Sequence, residues 1–341
     1  MSTVDLCGPI ARVDKWKFRK GFSQGWRVAV SRLHWLGALL VLALLGVPAL
    51  WLEQDPLDRA TTLEALLVHP PERVTMPLDI NPRVERWLDA FQTTRRAEFE
   101  IILDRRGLYA DMIRGKLRAR GMPEELLSIP MIESGLFPNA VSRVSAVGLW
   151  QFMSPTASQY GLRLDTYVDE RRDPIRATDA ALDYLAVLHE RFGGSWYLAA
   201  AAFNAGPGRL QRILNLHAGG RIGDEALYWE IIDYLPRETR EYVPKMIAVT
   251  RLANDADAWG FDTSRMARKL FENVFVPGGT SLRSVALALD LDANGLRDLN
   301  PHLIRGVTPP GEIYGIRIPV GGAATVVNAM AGRPPTRKAD D

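Results

Sequence analysis

The hydrophobic side chains in the middle of the chain recur every three or four positions, which is the spacing of an amphipathic α-helix. In the first part of this stretch the repeating positions are Trp87, Leu88, Phe91, Phe99, Ile101, Ile102, Tyr109, Met112, Ile113 and Leu117. Farther along, Asp173-Pro174 is typical of a helix start, because a capping carboxylate precedes a first-turn proline. A last helix is predicted over residues 237–254, interrupted at Pro244. The pattern predicts a mainly α-helical domain over residues 83–260.

After Trp259 the helical period gives way to short segments that favour a small mixed module over residues 272–320. In chain order these segments are a strand at 273–276, helices at 281–289 and 292–299, and a strand at 313–319. Residues 321–341 are rich in Gly, Ala and charged side chains, and we expect them to form a disordered tail. The carboxyl-terminal part is therefore predicted to be a βααβ domain followed by a tail.

Near the amino terminus, residues 35–52 form a run of eighteen residues without a polar side chain. As a helix this run reaches roughly 27 Å, enough to cross the hydrocarbon core of a bilayer. Residues 1–34 hold seven Lys or Arg against two Asp, so this basic segment is expected to stay in the cytoplasm. Residues 35–52 are therefore a transmembrane anchor or a cleaved signal segment, and Trp51-Leu52, which extend the apolar run, favour the anchor.

The remaining composition adds little chemistry. Residues 53–82 contain five prolines and read as an irregular tether. The chain has a net charge of +2, and because residues 1–34 contribute +5, the rest carries −3. No basic face for nucleic acid is expected from this balance. Cys7 is the sole cysteine, so no disulfide within the chain is expected.

The clearest candidate for chemistry is Glu133, a carboxylate at the end of an apolar run that Gly135 closes as a left-handed helix cap. Burial disfavours the charged carboxylate, and so does the negative end of the helix dipole, so the pKa of Glu133 is predicted to rise. The neighbours expected to bury it are Ile132, Leu136, Phe137 and Trp150. Pro130 should kink the last helical turn, either to aim Glu133 into a cleft or merely to fit a bend. The alternative is a surface glutamate at a helix end.

Several motifs, taken in order, resemble those of the lytic transglycosylase family, most closely its membrane-bound type D branch. They are Glu133-Ser134-Gly135, Ser142, residues 148–153 (GLWQFM), residues 169–174 (DERRDP), Phe203-Asn204-Ala205-Gly206 and residues 235–244 (LPRETREYVP). The resemblance covers roughly residues 85–260. It implies a goose-lysozyme-like helical domain whose enzymes cleave the bond between N-acetylmuramic acid and N-acetylglucosamine in bacterial peptidoglycan.

The small module resembles a LysM domain, a fold that binds chitin-like and peptidoglycan glycans. The matching positions are Thr280-Ser281-Leu282 and Leu299-Asn300-Pro301, while residues 276–279 are a looser match. Together the two resemblances imply a lysozyme-like transglycosylase domain plus a small LysM-like domain, preceded by one transmembrane helix. We expect the LysM-like module to add a second contact with the cell wall and no chemistry, so that deleting it weakens wall binding more than turnover of short glycans.

The family also implies roles for individual residues. Glu133 is the catalytic residue, and Tyr242 is expected close to it. The expected substrate-binding residues are Ser134, Ser142, Gln151, Met153, Phe203, Asn204, Ala205, Gly206 and Tyr242. Gln151 alternatively serves as a capping or surface amide, and Asn204 receives a sugar's N-acetyl group or bonds the turn backbone. Phe203 departs from the family pattern, which has tyrosine at this position.

Most glycosidases pair two carboxylates, whereas these motifs supply one. The nearest other carboxylates have structural explanations, since Asp173 is interpreted as a helix cap and Asp165, Asp169 and Glu170 as ion partners of Arg171 and Arg172. In the family's chemistry, the glutamate protonates the glycosidic oxygen and then deprotonates the muramic C6 hydroxyl, which attacks C1 to give 1,6-anhydromuramic ends. The reaction is that of a carbon-oxygen lyase.

Two alternatives remain at the level of sequence: a hydrolytic muramidase on the same fold, and a non-catalytic wall anchor. No metal cluster or phosphate loop is visible, so neither a cofactor nor a metal is expected. The expected partners are peptidoglycan glycan strands and, through residues 35–52, the bacterial inner membrane, with proteins of the cell-wall machinery left open. The catalytic domain of this single-pass protein is expected in the periplasm.

Overall fold

The computed structural model describes residues 74–263 and 270–331. The predicted basic segment, the predicted anchor at 35–52 and the tether up to residue 73 lie outside the described residues, as do residues 332–341. Within the described part of the chain, no helix combines the length and the apolar character needed to span a membrane.

The first described residues, 74–81, have no regular secondary structure, as a tether would, but they are bound to the helical domain. Met76 is buried, the Tyr197 hydroxyl donates to the Pro77 carbonyl at 2.5 Å, and Arg251 Nε donates to the Leu78 carbonyl at 2.8 Å. This end of the predicted tether is therefore part of the packed domain.

Nine α-helices lie within residues 74–263. They are α1 (Pro82–Gln92), α2 (Arg96–Ala119), α3 (Ser128–Ser134), α4 (Ser154–Gln159), α5 (Pro174–Arg191), α6 (Trp196–Ala205), α7 (Pro207–His217), α8 (Ala226–Glu230) and α9 (Arg237–Asn254). Short 3-10 helices lie at Glu124–Leu127, Glu170–Arg172 and Ile232–Tyr234. The predicted Asp173 cap is present, because its carboxylate accepts from two backbone N–H groups of α5, and Ser195 Oγ caps α6 in the same way by accepting from one backbone N–H. The mainly α-helical prediction is confirmed.

Helix α9 lies at the centre of the domain and packs against α1, α3 and α6. The four alanines at positions 199–202 of α6 are fully buried, and their small side chains let neighbouring helices approach closely. The predicted interruption of α9 at Pro244 is wrong, because the helix continues through it. Pro244 has no N–H for the Arg240 carbonyl, and the Tyr228 hydroxyl donates to that carbonyl at 3.0 Å instead.

The carboxyl-terminal domain contains the predicted strand-helix-helix-strand order. Its elements are β1 (Phe271–Val276), α10 (Leu282–Ala288), α11 (Ala293–Leu299), β2 (Tyr314–Pro319) and α12 (Ala323–Met330). The strands are antiparallel, with Val274 opposite Ile316. A second hydrophobic core, separate from that of the helical domain, forms beneath them and includes Val285 and Leu296.

Helix α12 corrects the expectation of a disordered tail from residue 321. Val326 and Met330, four positions apart, present one apolar face of this helix to the domain core, where both are buried. The backbone N–H of Ala323 also donates to the Glu272 carboxylate at 2.9 Å. The Gly- and Ala-rich composition of this segment concealed the two anchoring positions.

Candidate active site

Helix α3 brings Glu133 to the site, and its seven residues follow directly on the 3-10 helix Glu124–Leu127. Gly135 ends the helix with φ of 60°, and its N–H donates to the Met131 carbonyl at 3.1 Å. Pro130 occupies the first turn of α3, where backbone N–H groups have no partner within the helix. The missing N–H of Pro130 therefore costs α3 no internal hydrogen bond, and the glycine cap is present as predicted.

The Glu133 carboxyl is partly buried, and its Oε1 accepts a hydrogen bond of 2.6 Å from the Tyr242 hydroxyl. Burial raises the pKa of Glu133 to about 7; the Tyr242 hydrogen bond and the Lys245 charge act against this, and the negative charge of Glu238 adds to it. The predicted rise of the pKa is confirmed. Leu136 and Trp150 are buried as expected, but Phe137 is 40% exposed.

Tyr242 lies on α9, where its ring is buried and its hydroxyl faces α3. Burial raises its pKa well above the ordinary value, and the charge of Glu133 raises it further. The hydroxyl therefore stays protonated at physiological pH and acts as a fixed hydrogen-bond donor. Its contact with Glu133 is the one that the family resemblance implied.

Asn204, near the end of α6, is bonded by two side chains of α9. The buried Thr239 hydroxyl donates to Asn204 Oδ1 at 2.7 Å, and Asn204 Nδ2 donates to Glu238 Oε1 at 3.3 Å. A carboxylate only accepts, so Glu238 fixes which end of the amide is the nitrogen. The second N–H of Asn204 remains for another acceptor. The side chain of Asn204 therefore bonds to side chains of α9, and not to the turn backbone as in the alternative.

Glu238, Thr239 and Lys245 were not predicted as site residues, and Glu238 corrects the expectation of a single carboxylate near the site. Helical spacing around Tyr242 could have predicted these three residues. Glu238 and Thr239 precede Tyr242 by four and three positions and Lys245 follows it by three, so all share its helix face. Lys245 Nζ donates to the Ile132 carbonyl at 3.4 Å, which places a positive charge beside the last turn of α3.

The other predicted binding residues on the first motifs form a connected loop. The Ser134 hydroxyl donates to the Leu149 carbonyl at 2.8 Å, which ties α3 to the turn at 148–153. Ser142 Oγ accepts from the Ala146 N–H at 3.0 Å. The Gln151 side-chain amide donates to the Gly148 carbonyl at 2.8 Å, whereas the Met153 side chain is 43% exposed. Residues 142–153, which we call the substrate loop, thus present Met153 and part of Gln151 to solvent.

Phe203 packs its ring among other aromatic side chains at the end of α6. The ring centroids of Tyr184, Phe152 and Trp150 lie 5.5, 6.4 and 6.5 Å from that of Phe203. Ala205 is the last residue of α6, and Gly206, with φ of 85°, forms the junction to α7. These two residues contribute the backbone turn next to Asn204.

Of the four carboxylates set aside above, Asp173 and Asp169 have the expected roles, whereas Asp165 and Glu170 contact Arg163 instead of Arg171 or Arg172. Asp173 caps α5, Asp169 pairs with Arg171 at 2.9 Å, and Asp165 pairs with Arg163 at 2.6 Å. Glu170 accepts from the Arg163 N–H at 2.8 Å. Across residues 74–263 and 270–331, no group of three or more His, Cys, Asp or Glu side chains is arranged to hold a metal ion.

Two family models match the chain. The transglycosylase SLT domain matches residues 112–221, which include Glu133 and Asn204, and the LysM-like domain of lytic transglycosylase MltD matches residues 271–332. The second match extends past residue 320, in agreement with the packing of α12.

Membrane-bound lytic murein transglycosylase D of Escherichia coli K12 is 37% identical over 153 residues, which cover 45% of this chain and 33% of that protein. The soluble lytic murein transglycosylase of the same strain is 30% identical over 145 residues, covering 41% of this chain and 22% of that protein. The crystal structure of the 70 kDa soluble lytic transglycosylase from Escherichia coli superposes with a TM-score of 0.37 and 26% identity, over 47% of this chain and 26% of that chain. The matched region spans a third or less of these relatives. Over residues 112–221 and 271–332 the chain is thus similar to the two domains of lytic transglycosylases that these models describe.

Proposed function

We propose that this protein is a lytic transglycosylase that cleaves the β-1,4 bond between N-acetylmuramic acid and N-acetylglucosamine in peptidoglycan and leaves 1,6-anhydromuramic ends. The observation that supports this most is the Glu133 carboxyl, whose pKa is raised to about 7 by burial and whose hydrogen-bond partner is the neutral Tyr242 hydroxyl. A carboxyl of this kind donates a proton near neutral pH and accepts one in the following step.

In the proposed reaction the Tyr242 hydroxyl occupies Oε1 of Glu133, which leaves Oε2 for the substrate. The protonated Glu133 gives its proton to the glycosidic oxygen as the bond from that oxygen to muramic C1 breaks. The resulting carboxylate then takes the proton of the muramic C6 hydroxyl while the C6 oxygen bonds to C1. Glu133 ends the cycle protonated, so one carboxyl serves as acid and base without water.

Asn204 is proposed to position the substrate's acetamido group, which stabilises the positive charge that develops at C1. Its amide supports this role because Thr239 and Glu238 fix its orientation and leave one N–H for a substrate carbonyl. The remaining predicted residues, Ser134, Ser142, Gln151, Met153, Phe203, Ala205 and Gly206, are proposed to form the walls of the glycan groove. The exposed Met153 side chain offers an apolar surface to a sugar ring.

Glu238 favours a second candidate function, a hydrolytic muramidase on the same fold. Hydrolytic enzymes use a second carboxylate as base or nucleophile, and the Glu238 charge acts on Glu133. However, Glu238 Oε1 accepts a hydrogen bond from the Asn204 side-chain amide, so Glu238 orients that amide. We therefore assign Glu238 to positioning and rank the hydrolase second.

Mass spectrometry of digested sacculi separates the candidate functions. We expect muropeptides one water lighter than those from a lysozyme digest, and none from the Glu133→Gln variant. Reducing ends would establish the hydrolase. Binding to sacculi without any released muropeptide would leave only the wall anchor.

We also propose that residues 35–52 anchor the protein in the bacterial inner membrane, with residues 1–34 in the cytoplasm and the enzyme domain in the periplasm. The apolar run and the basic residues before it support this orientation. A chain that begins at Glu53 should be soluble and active. If that shortened chain stays with membranes after a salt wash, another membrane contact exists.

A further inference from the structure

The LysM-like domain is docked on one segment of the helical domain, residues 163–173. Val168 and Leu303 form an antiparallel bridge in which the Asp169 N–H donates to the His302 carbonyl at 2.9 Å and the Ile304 N–H donates to the Tyr167 carbonyl at 3.1 Å. The Val168 side chain is fully buried and belongs to the core of the LysM-like domain. A residue of one domain thus completes the core of the other.

Charged contacts reinforce this docking. Arg317 Nη2 on β2 donates to both oxygens of Asp173, at 2.8 and 2.6 Å, and both side chains are almost entirely buried. Arg163 Nη1 pairs with Glu312 at 2.7 Å nearer the surface. Because a buried ion pair holds its partners only in a narrow geometry, the orientation of the LysM-like domain is defined rather than loosely tethered.

The same segment supports the substrate loop from its other side. Arg171 is buried and bonded through Nε and Nη2 to the Asp169 carboxylate, at 2.9 Å each. Its Nη1 donates to Ser154 Oγ at 3.0 Å and to the Ser145 and Phe152 carbonyls at 3.3 Å. These acceptors lie at both ends of the turn that carries Gln151 and Met153.

Gly148 shows how closely this turn is seated on the docking segment. A Cβ atom at Gly148 would lie 1.8 Å from the Arg171 carbonyl oxygen, so no larger residue fits without moving the turn. Asp169 links the two sides of this segment. Its backbone N–H bonds to the LysM-like domain, and its carboxylate bonds to Arg171, which in turn bonds to the turn at 148–153.

We infer that Arg171 is a positioning residue through which the docked LysM-like domain holds the substrate loop in place. This inference rests on the proposed function for its activity readout. It revises the expectation that the LysM-like domain adds wall binding alone, since a loss of docking loosens residues 167–173 and with them the substrate loop. The domain then contributes to turnover even of glycans too short to reach it.

The test uses the full chain with Cys7→Ser, so that no native thiol interferes. Arg317→Met removes the bonds to Asp173 and is expected to lower kcat on a short soluble glycan by roughly tenfold, since small misplacements of binding groups cost this much or more. Arg283→Met, on an exposed position of α10, is the matched control and should leave kcat unchanged. In hydrogen exchange, the amides of Ala146, Val147 and Phe152 should exchange faster in Arg317→Met, while those of α6 stay protected.

A cross-link supplies the rescue. Val168 and Leu303 are a non-hydrogen-bonded antiparallel pair, whose side chains lie close enough for a disulfide. In the Arg317→Met background, Val168→Cys with Leu303→Cys should regain kcat and amide protection when oxidised and lose both when reduced.

Unchanged kcat and unchanged exchange in Arg317→Met, with weaker binding to sacculi only, would overturn the inference. The exchange measurement needs no substrate. An inactive wild-type protein whose substrate loop still loosens in Arg317→Met would therefore refute the proposed function and leave the docking inference standing.

Discussion

Two carboxylates withdrawn from solvent, Glu133 and Asp173, have opposite protonation behaviour in this molecule. Burial raises the pKa of Glu133 to about 7, and its hydrogen-bond partner is the neutral hydroxyl of Tyr242. Burial acts to raise the pKa of Asp173 as well, but the Arg317 charge, followed by His302 and the backbone N–H of Arg176, holds it below its usual range. Burial is thus common to both groups, and the charge of the partner decides the outcome.

The difference separates a site for chemistry from a site for assembly. A neutral partner leaves the buried carboxyl near the point where it gains and loses a proton, which general acid and base catalysis requires. A cationic partner removes that freedom and converts the carboxylate into a permanent structural anion. Accordingly, Glu133 lies at the proposed reaction centre, and Asp173 joins the helical domain to the LysM-like domain.

Replacing Glu133 by Gln removes the proposed proton donor and should have the largest effect on turnover. The side chain keeps its shape, so we expect turnover of sacculi to fall by about a thousandfold or more with an unchanged melting temperature. Glu100→Gln, at a helical surface position paired with Arg96, is the control. Residual turnover within tenfold of wild type would mean that another group supplies the proton.

Asp173→Asn tests how much the ion pair between Asp173 and Arg317 contributes to stability. Asn still caps α5, so the variant isolates the ion pair, and leaving Arg317 buried without a counter-ion should cost about 3 to 5 kcal/mol in the free energy of unfolding. Urea unfolding at neutral pH measures this loss. The contribution of Asp173 is present above its unfolded-state pKa and disappears as the pH falls through its lowered folded pKa. The difference between variant and wild type should therefore shrink in acid, and a constant difference would point to lost packing instead.

The pH profile tests how the neighbours of Glu133 set its proton affinity. Because Glu133 must be protonated to begin the reaction, kcat/KM should decline as the pH rises through about 7. Tyr242→Phe removes a hydrogen bond that stabilises the carboxylate and should move this decline to higher pH, besides lowering the rate. Glu238→Gln removes a negative charge and should move it to lower pH. Shifts in the same direction would show that Glu133 is not the titrating group.

Local features of the site were predictable because they depend on neighbours in the sequence. The glycine cap after Glu133 and the Asp173 cap of α5 follow from residue types within a few positions. Glu238 and Thr239 were within reach of the same reasoning, since they share the helix face of Tyr242. The contact between Tyr242 and Glu133 itself came only from the family resemblance, because 109 residues separate the two.

The docking of the LysM-like domain was not predictable, because the contacts that define it join residues far apart in the chain. Val168 reads as one apolar residue in a polar turn, yet it completes a core whose other members begin more than a hundred residues later. Arg317 reads as a polar strand position, and its partner Asp173 already had a sufficient explanation as a helix cap. Because its role as a cap already explains Asp173, the sequence gives no reason to expect its second role as the partner of Arg317.

The smallest predicted effect concerns Phe203, where the family pattern has a tyrosine. Tyr242 already supplies a hydroxyl to Glu133, and the Phe203 ring packs against Tyr184 and Phe152. A new hydroxyl that reached the substrate would add about 0.5 to 1.5 kcal/mol, up to roughly a tenfold gain in kcat/KM. A hydroxyl left unpaired among these rings would instead destabilise the fold by about 1 to 3 kcal/mol. We expect Phe203→Tyr to change kcat/KM by less than about threefold on a short glycan, with Tyr242→Phe as the reference for a loss. A tenfold gain at unchanged melting temperature would show that the edge of this ring faces the substrate, and that the hydroxyl of Tyr242 is not the only one the site can use.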